Sequence, residues 1–342
     1  MTNILIHSDN IKGLQYLLNN GFAGKIDLVY IDPPFATGGN FTITDGRAST
    51  ISNSRKGTVA YSDILQGKAF IDFLRERLLL IKELLSDKGS IYLHIDYKIG
   101  HYVKVMMDDV FGIENFRNDI TRIKCNPKNF ERIGYGNIKD MILFYTKTNS
   151  PIWNEPRQPY TQQDIETLFS KKDKNGRRYT TVPIHAPGET DSGESAQPFK
   201  GIYPPQGRHW RTDIATLEKW DSEGLIEWSD NGNPRKKIYA DERNGKRVQD
   251  IWEYKDPMYP IYPTEKNAEL LDLIVRTSSE KDSIVLDCFA GSGTTLKSAE
   301  KLGRYWIGID QSELAINAVK EKLKLESNDL FSSVKNYQFV EL

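Results

Sequence analysis

The sequence predicts an α/β fold built on a doubly wound, mostly parallel sheet. Short apolar runs alternate with amphipathic helical segments at both ends of the chain, which is the pattern of parallel strands joined by helices. The middle of the chain breaks this pattern, because it is rich in proline and tryptophan and has little helical periodicity. We therefore predict one sheet domain in two halves, residues 1–148 and 255–342, with an inserted region at 149–254.

The N-terminal half begins with a βαβ unit. Residues 3–7 form a short apolar strand, and Asp9 or Asn10 is suited to cap the helix that follows. A second apolar strand spans 26–31, and two strands joined by one helix are expected to pair in parallel. The other elements predicted in this half are helices at 69–85 and 101–111 and strands at 90–95 and 140–147.

A polar stretch at 37–62 interrupts this half. It is rich in Gly, Ser, Thr and Asn, has no sustained period, and is longer than most connections. Two interpretations stay open: a mobile lid over a substrate, or a disordered loop.

The α/β pattern returns in the C-terminal half. An amphipathic helix is expected at 267–277, and a final strand at 334–340 would lie at a sheet edge. The elements predicted between them are strands at 283–287 and 305–310 and helices at 295–302 and 312–325.

Composition excludes several classes of protein. With 342 residues and a net charge of −1, the chain is not globally basic, so any nucleic-acid contact must come from local patches. Two cysteines and five scattered histidines do not form a disulfide framework or a zinc site. No apolar run approaches 18 residues and no signal peptide begins the chain. We expect a metal-free cytoplasmic protein that is neither exported nor membrane-spanning.

The segment Asp32-Pro33-Pro34-Phe35 directly follows the strand at 26–31. Two prolines fix φ twice and donate no N–H, which leaves a stiff turn with carbonyl acceptors at the carboxyl end of a strand, where open α/β sheets bind ligands. The Asp32 carboxylate and the Phe35 ring complete this turn. A base that stacks on the ring could donate its exocyclic amino group to the carboxylate and the carbonyl acceptors. The alternative is a structural Pro-Pro turn with Phe35 in the core.

The segment 284–295 has the pattern strand, glycine loop, helix start. Gly291 and Gly293 permit close approach of the backbone, and the helix start offers free N–H groups to an anion. Asp287 ends this strand, and Asp310 ends the next one, where a carboxylate that binds ribose hydroxyls is expected. The arrangement is typical of a site for an adenosine-containing cofactor.

Three cofactors are candidates for binding at this loop. A P-loop requires Gly-Lys-Ser/Thr, but Thr294-Thr295-Leu296 stands there, so ATP is disfavoured. A dinucleotide fingerprint requires a third glycine where Leu296 lies, which weakens NAD. S-adenosylmethionine remains, with its carboxylate at the helix start and its ammonium group at Asp287.

The inserted region carries basic residues interleaved with aromatic ones, a composition that suits a nucleic-acid surface. The alternative is an irregular domain whose charges are only solvated. The candidate DNA-binding residues are Lys171, Lys172, Arg177, Arg178, Arg208, Arg211, Arg235 and Lys236.

These motifs together resemble DNA amino-methyltransferases that make N6-methyladenine or N4-methylcytosine, in the β arrangement that includes the modification subunits of type III-like restriction systems. The matching segments are Asp32-Pro33-Pro34-Phe35, Phe289-Ala290-Gly291-Ser292-Gly293, Ser8-Asp9-Asn10 and Pro263-Thr264-Glu265-Lys266-Asn267. The family usually has Tyr-Asn where Phe35-Ala36 stands and Asp-Pro-Phe where Asp287-Cys288-Phe289 stands. The resemblance covers roughly 1–148 and 255–325.

The resemblance implies a Rossmann-like methyltransferase sheet with circularly permuted motif order and a target-recognition region at 149–254. It implies transfer of a methyl group from S-adenosylmethionine to N6 of a flipped-out adenine in double-stranded DNA, with Asp32, Pro33, Pro34 and Phe35 as the catalytic residues. Cytosine N4 is the alternative target, and a catalytically silent DNA-binding protein the alternative function. The resemblance makes a homodimer plausible, and any DNA cleavage would require a partner restriction subunit. The implied cofactor-binding residues are Asp9, Asp32, Lys266, Asp287, Phe289, Gly291, Gly293, Thr294 and Asp310.

Overall fold

The computed structural model describes residues 1–34, 40–44, 47–49, 58–62, 67–127, 131, 133–188, 190, 192–229, 232–257, 265–327 and 336–342. The chain divides into two compact units. The larger unit combines Met1–Pro156 with Gln249–Leu342, and the smaller unit is Arg157–Val248. The assignment of three functional parts to 1–148, 149–254 and 255–342 stays a prediction.

The first part of the larger unit contains the first eight strands and three helices of the described chain. They are β1 (Asn3–His7), α1 (Asn10–Asn19), β2 (Ile26–Ile31), β3 (Asn40–Thr44), β4 (Arg47–Ser49), β5 (Thr58–Ser62), α2 (Lys68–Leu84), β6 (Leu85–Ile95), α3 (Gly100–Phe111), β7 (Phe116–Ile123) and β8 (Lys139–Thr146).

The smaller unit consists of short strands and two helices. They are β9 (Arg157–Gln158), α4 (Gln162–Leu168), β10 (Lys171–Lys172), β11 (Arg178–Pro183), β12 (His185–Pro187), β13 (Arg208–Trp210), α5 (Ile214–Ser222), β14 (Ile226–Trp228), β15 (Pro234–Tyr239) and β16 (Lys246–Arg247).

The chain then returns to the larger unit. Its remaining elements are β17 (Ile251–Trp252), α6 (Ala268–Ser278), β18 (Ile284–Asp287), α7 (Thr294–Lys301), β19 (Tyr305–Asp310), α8 (Glu313–Ser327) and β20 (Tyr337–Glu341).

Nine strands of the larger unit form one sheet in the order β17-β7-β8-β6-β2-β18-β19-β1-β20. All neighbouring pairs are parallel except the two made by β8, which runs antiparallel to both β6 and β7. This confirms the predicted α/β fold with a mostly parallel sheet. Strands β2 and β18 are distant in sequence but adjacent in the sheet, so the loops at their carboxyl ends lie side by side.

The central strands are buried on both faces, as expected of parallel strands covered by helices. Val29 and Ile31 of β2 pack in one core with Leu14 and Leu17 of α1 and with α2. On the other face, the Tyr92 hydroxyl of β6 lies 2.8 Å from Ser278 Oγ in α6. The alternation of side chains along each strand therefore assigns Tyr30 and Tyr92 to the face that is covered by α6.

The structure corrects three local predictions. Strand β6 begins at Leu85 rather than at residue 90, because a register shift lets Ile26 pair with Leu85 across a polar segment that has no strand pattern. Strand β7 was not predicted. Part of the polar stretch 37–62 forms a three-stranded antiparallel sheet, β4-β3-β5, whose residues include β-forming Thr, Val and Tyr. The lid interpretation depends on residues 35–39 and 50–57, which lie outside the described residues.

Candidate functional site

A cavity of about 420 Å³ opens at the carboxyl ends of β1, β2, β18 and β19. Most of the residues predicted for catalysis and cofactor binding meet there. Those that line it are Asp9, Asp32, Pro34, Lys266, Asp287, Phe289, Gly291, Thr294 and Asp310. Pro33 and Gly293 belong to the same two loops but are not among the lining residues, and Phe35 lies outside the described residues.

The glycine loop between β18 and α7 is held by two carboxylates. Asp287 Oδ1 accepts the N–H of Phe289 at 3.0 Å, and Asp310 Oδ2 accepts the N–H of Gly291 at 2.8 Å. Gly293 has φ +74°, and a Cβ there would lie 2.8 Å from Val319 Cγ2. Only glycine satisfies both the backbone conformation and the close packing at this position.

Burial determines the charge of Asp287. The residue is 3% exposed, and burial raises its pKa to about 7 although hydrogen bonds from Thr295 and from the Phe289 N–H act in the opposite direction. Asp310 is also affected: burial raises its pKa, against hydrogen bonds from the N–H groups of Ser312 and Gly291. A cation placed beside Asp287 would therefore find a carboxyl group that ionises near neutral pH.

The opposite wall of the cavity is organised by Arg77 of α2. Its Nε donates to Asn10 Oδ1 at 2.5 Å, its Nη2 lies 3.4 Å from Asp9 Oδ2, and its guanidinium lies 3.4 Å from the centre of the Phe73 ring. Asp9 also caps α1 by accepting the Ile11 N–H at 2.9 Å. The Ser8-Asp9-Asn10 segment is thus fixed by a buried arginine that the sequence analysis missed.

Asp32 directly follows β2 and faces two cationic or titratable groups. Its Oδ2 forms an ion pair with Lys266 Nζ at 2.7 Å, and its Oδ1 lies 3.7 Å from His94 Nδ1. Oδ1 is buried and has no hydrogen-bond partner among the described residues. A buried carboxylate oxygen without a donor is costly in free energy, so it marks a position where a donor from a ligand would be stabilising.

Several predicted DNA-binding residues of the smaller unit are paired with acidic or aromatic side chains. Arg177 donates to Asp241 at 2.8 and 2.9 Å and to Glu242 at 2.8 Å, and Lys171 forms an ion pair with Glu227. Lys236 Nζ lies 3.4 Å from the centre of the Trp220 ring. These contacts reduce the positive charge that Arg177 and Lys171 present to solvent.

Three other arginines surround His185 without a carboxylate partner among the described residues. Arg208 lies 3.2 Å from His185 Nδ1, Arg211 donates to the His185 carbonyl at 3.1 Å, and Arg235 donates to Thr181 Oγ1 at 2.9 Å. Burial and these arginines lower the pKa of His185, as expected of a concentration of positive charge. Of the two remaining candidates, Arg178 contacts the Phe169 carbonyl at 3.4 Å and Lys172 is exposed on β10.

A buried polar group that was not predicted from the sequence lies next to Asp32 and consists of Tyr30, His94 and Asp140. Tyr30 Oη lies 3.0 Å from His94 Nδ1, and His94 Nε2 lies 3.3 Å from Asp140 Oδ2. The signal that could have found His94 is its place near the end of an apolar strand, 64 residues from Tyr30. The pairing of β6 with β2, which brings the two strand ends together, could not be predicted from the sequence.

Among the described residues, no helix is long and apolar enough to cross a membrane.

Comparison with known proteins agrees with this geometry. A family model described as DNA methylase matches residues 26–321. The chain is 38% identical over 331 residues to the type II methyltransferase M.EcaI of Enterobacter cloacae, a match that covers 95% of this chain and 70% of that protein. It is 28% identical over 327 residues to the StyLTI Mod subunit, a type III restriction-modification enzyme of Salmonella typhimurium. That match covers 86% of this chain but only 49% of the Mod subunit.

A solved structure shares the fold. The putative DNA modification methylase TTHA0409 of Thermus thermophilus, complexed with S-adenosyl-L-methionine, is similar with a TM-score of 0.50 and 17% identity, over 99% of this chain and 98% of that chain. At this identity the likeness concerns the fold alone.

The family match spans both motifs and the inserted region between them. It confirms the predicted resemblance to DNA amino-methyltransferases. Enzymes of this family use S-adenosylmethionine as the methyl donor, which confirms the predicted cofactor. The chain belongs to the N6/N4 DNA methylase family.

Proposed function

We propose that this protein transfers a methyl group from S-adenosylmethionine to the N6 amino group of a flipped-out adenine in double-stranded DNA. One observation carries the proposal: Asp32 lines the same cavity as the glycine loop and has a buried oxygen without a donor among the described residues. A base within a duplex cannot reach such a cavity, so the target must rotate out of the helix.

The cavity fits S-adenosylmethionine on three grounds. The start of α7 offers backbone N–H groups to the carboxylate, and Asp287 can bind the ammonium group. Asp310 accepts the N–H groups of Gly291 and Ser312, which hold its carboxylate at the cavity, where it can also accept ribose hydroxyls. The rings of Phe73 and Phe289, with centres 6.2 Å apart, provide apolar surface for the base and the thioether chain. When bound, the cofactor supplies an electrophilic methyl group on a sulfonium.

Asp32 activates the target by accepting a hydrogen bond from the amino group. The nitrogen lone pair is delocalised into the ring of adenine, and an acceptor at one N–H shifts the nitrogen toward tetrahedral geometry, in which its lone pair can attack. The Pro33 carbonyl is the second acceptor that we assign, and Phe35 the ring that stacks on the flipped base. Positioning and electrostatic stabilisation account for the rate, with Asp32 taking the proton that the nitrogen releases.

The choice of adenine rests on Asp32. Cytosine-directed members of this family tend to carry Ser at the first position of this motif, so Asp32 favours adenine. Cytosine N4 is therefore the second candidate, and the experiment below separates the two.

The arginines around His185 are the residues that we assign to DNA phosphates. Among the described residues, Arg208, Arg211 and Arg235 lack the acidic partners that bind Lys171 and Arg177, so their charge is available to a polyanion.

Changing all three arginines to Ala should weaken DNA binding about 100-fold at low salt and make the salt dependence of the affinity shallower. Arg177→Ala is the matched control and should change the affinity little. Fluorescence anisotropy at several salt concentrations measures both, and equal losses in the two proteins would refute the assignment.

The partners follow from the same context. Relatives such as the StyLTI Mod subunit are by name parts of restriction-modification enzymes, so we propose that this protein modifies DNA in such a system, in the cytoplasm. The predicted homodimer and restriction subunit stay proposals. Light scattering of the purified protein and co-purification of its native complex test them.

Nucleoside analysis tests the proposed reaction. Plasmid DNA from cells with and without the protein, and DNA treated in vitro with S-adenosylmethionine, should be digested to nucleosides and separated by mass spectrometry. N6-methyladenine that requires the protein is the expected product. N4-methylcytosine would establish the second candidate, and the absence of any methylated base with purified protein would refute both.

A further inference from the structure

A row of buried titratable side chains extends from Asp32 away from the cavity. His94 lies directly behind Asp32, with Nδ1 3.7 Å from Asp32 Oδ1, and its Nε2 lies 3.3 Å from Asp140 Oδ2. His94 is 0% exposed and Asp140 is 2% exposed. Burying titratable groups is costly, so their alignment with the proposed catalytic carboxylate requires an explanation beyond packing.

Strand register explains how the row is built. Tyr30 of β2 pairs with Tyr92 of β6, and residues two positions further along each strand are Asp32 and His94. His94 pairs with Ile142 of β8, and Asp140 lies two residues from Ile142 on the antiparallel strand. Since side chains alternate along a strand, these residues share one face of the sheet.

The tautomer of His94 follows from its partners. Lys124 Nζ lies 2.6 Å from Asp140 Oδ1, and Arg122 Nη1 lies 3.8 Å from Asp140 Oδ2. Although burial acts in the opposite direction, the His94 hydrogen bond and Lys124 hold the pKa of Asp140 well below its usual range. An ionised carboxylate only accepts, so His94 Nε2 carries the proton and Nδ1 presents a lone pair toward Asp32 and Tyr30.

Charges on every side of His94 determine whether it can take a second proton. Burial and then Lys266 lower its pKa, whereas Asp140 and Asp32 raise it. Tyr30 can donate to Nδ1 of the neutral ring and accept from the protonated ring, because a hydroxyl does both. The ring is therefore neutral at pH 7, and its protonated form would lie between two carboxylates.

We propose that His94 is a positioning residue that orients Asp32 and receives, through it, the proton released by methyl transfer. This inference rests on the proposed function. In the reaction the nitrogen–methyl bond forms as the methyl–sulfur bond breaks, and the electron pair of that bond stays on sulfur. The nitrogen becomes cationic and passes one proton to Asp32, which passes a proton to His94 Nδ1. Asp32 thus returns to the ionised form. As the product leaves, His94 returns the proton through Asp32, which lines the cavity, to the solvent that enters there.

Two variants and their combination test this role. His94→Asn retains a hydrogen-bonding group near the Nδ1 position but cannot titrate, and Asp140→Asn removes the acceptor that fixes the tautomer. Each should lower the single-turnover rate of methyl transfer about 10- to 100-fold at saturating cofactor and DNA. The double variant should be no slower than His94→Asn alone, because both act through one proton acceptor. His101→Asn, on the exposed start of α3, is the matched control.

The pH profile separates this role from a structural one. In the wild type the rate should fall at acidic pH as His94 becomes protonated, with the midpoint below the ordinary histidine value. In His94→Asn this acidic limb should be missing. A His94→Asn enzyme with the wild-type rate and profile would overturn the proposal, as would multiplicative losses in the double variant.

A measurement on the wild-type protein covers the case in which the buried variants fail to fold. Nitrogen-15 spectra of histidine-labelled protein should show the buried ring of His94 with a proton on Nε2 and none on Nδ1 at pH 7. A resonance with the opposite tautomer for the buried ring would overturn the inference. This readout does not depend on methyl transfer. If the wild type methylates neither adenine nor cytosine, the proposed function fails. If the wild type methylates DNA and His94→Asn has the same rate and pH profile, only this inference fails.

Discussion

Two carboxylates end neighbouring strands of the sheet, yet their surroundings differ. Asp32, after β2, has an ammonium group 2.7 Å from one oxygen. Asp287, the last residue of β18, is surrounded by hydrogen-bond donors of its own loop, and burial raises its pKa to about 7. The same position relative to a parallel strand thus holds two chemically different acids.

Because of this difference, one edge of the sheet can hold both the residue that activates the target amino group and the residue that binds the ammonium group of the cofactor. A carboxylate in an ion pair with a lysine can attract the protons of a target amino group. A buried carboxyl group without a cation ionises near neutral pH, and a cationic ligand favours its ionised form, which suits the ammonium group of S-adenosylmethionine. Variants that exchange or remove these surroundings test whether the division is real.

The largest effect is expected at Asp32. Asp32→Asn keeps the shape of the side chain but removes the charge and the proton acceptor, so the single-turnover rate should fall about 10³-fold or more. Asp109→Asn, at an exposed ion pair with Arg75, is the control and should retain the wild-type rate. Quenched-flow or manual time courses with labelled methyl donor measure the rate. A rate within tenfold of the wild type would remove Asp32 from the chemistry.

An intermediate effect is expected in the glycine loop. Gly293→Ala places a Cβ at φ +74° and 2.8 Å from Val319, which costs about 1–2 kcal/mol in backbone strain alone. Cofactor affinity should fall about 10-fold or more by calorimetric titration. Gly303→Ala is matched in backbone strain, since φ is +77° there, but the nearest atom to its Cβ is Lys281 Cγ at 3.8 Å. Equal affinities in the two variants would contradict the role of the loop.

The smallest effect is a pH dependence of cofactor binding. The bound ammonium group favours ionised Asp287, so below pH 7 a proton must leave the carboxyl group before the ion pair can form. Affinity should therefore rise by about tenfold between pH 6 and pH 8 and level off above that. Asp287→Asn should abolish the slope. A wild-type affinity that is constant over this range would show that Asp287 is not the ammonium site.

Much of the fold could be predicted from the sequence because the strands are short apolar runs with clear ends. Strands β1 and β19 occur at the predicted residues, and the helices of the larger unit begin and end within about two residues of the predicted bounds. The polar start of β6 could not be predicted, because its pairing with Ile26 depends on a register shift and not on hydrophobic alternation.

The residues of the candidate site likewise fall into those that could be predicted from the sequence and those that could not. Asp32, Asp287 and Gly291 were predicted because each lies at or just beyond the end of a strand within a recognisable motif, and all three line the cavity. His94 and Arg77 were not, because their importance depends on which strands and helices become neighbours. Pairing of basic with acidic residues, such as Arg177 with Asp241, is likewise invisible to a pattern of basic and aromatic residues.

Titration of S-adenosylmethionine into Asp32→Asn and Asp287→Asn side by side shows whether the two carboxylates have separate roles. At pH 8 we expect Asp32→Asn to bind the cofactor within about threefold of the wild type. Asp287→Asn should bind it about tenfold or more weakly, because one charge-assisted contact is lost. Cofactor binding lost in Asp32→Asn and retained in Asp287→Asn would contradict the division of roles between the two strand ends.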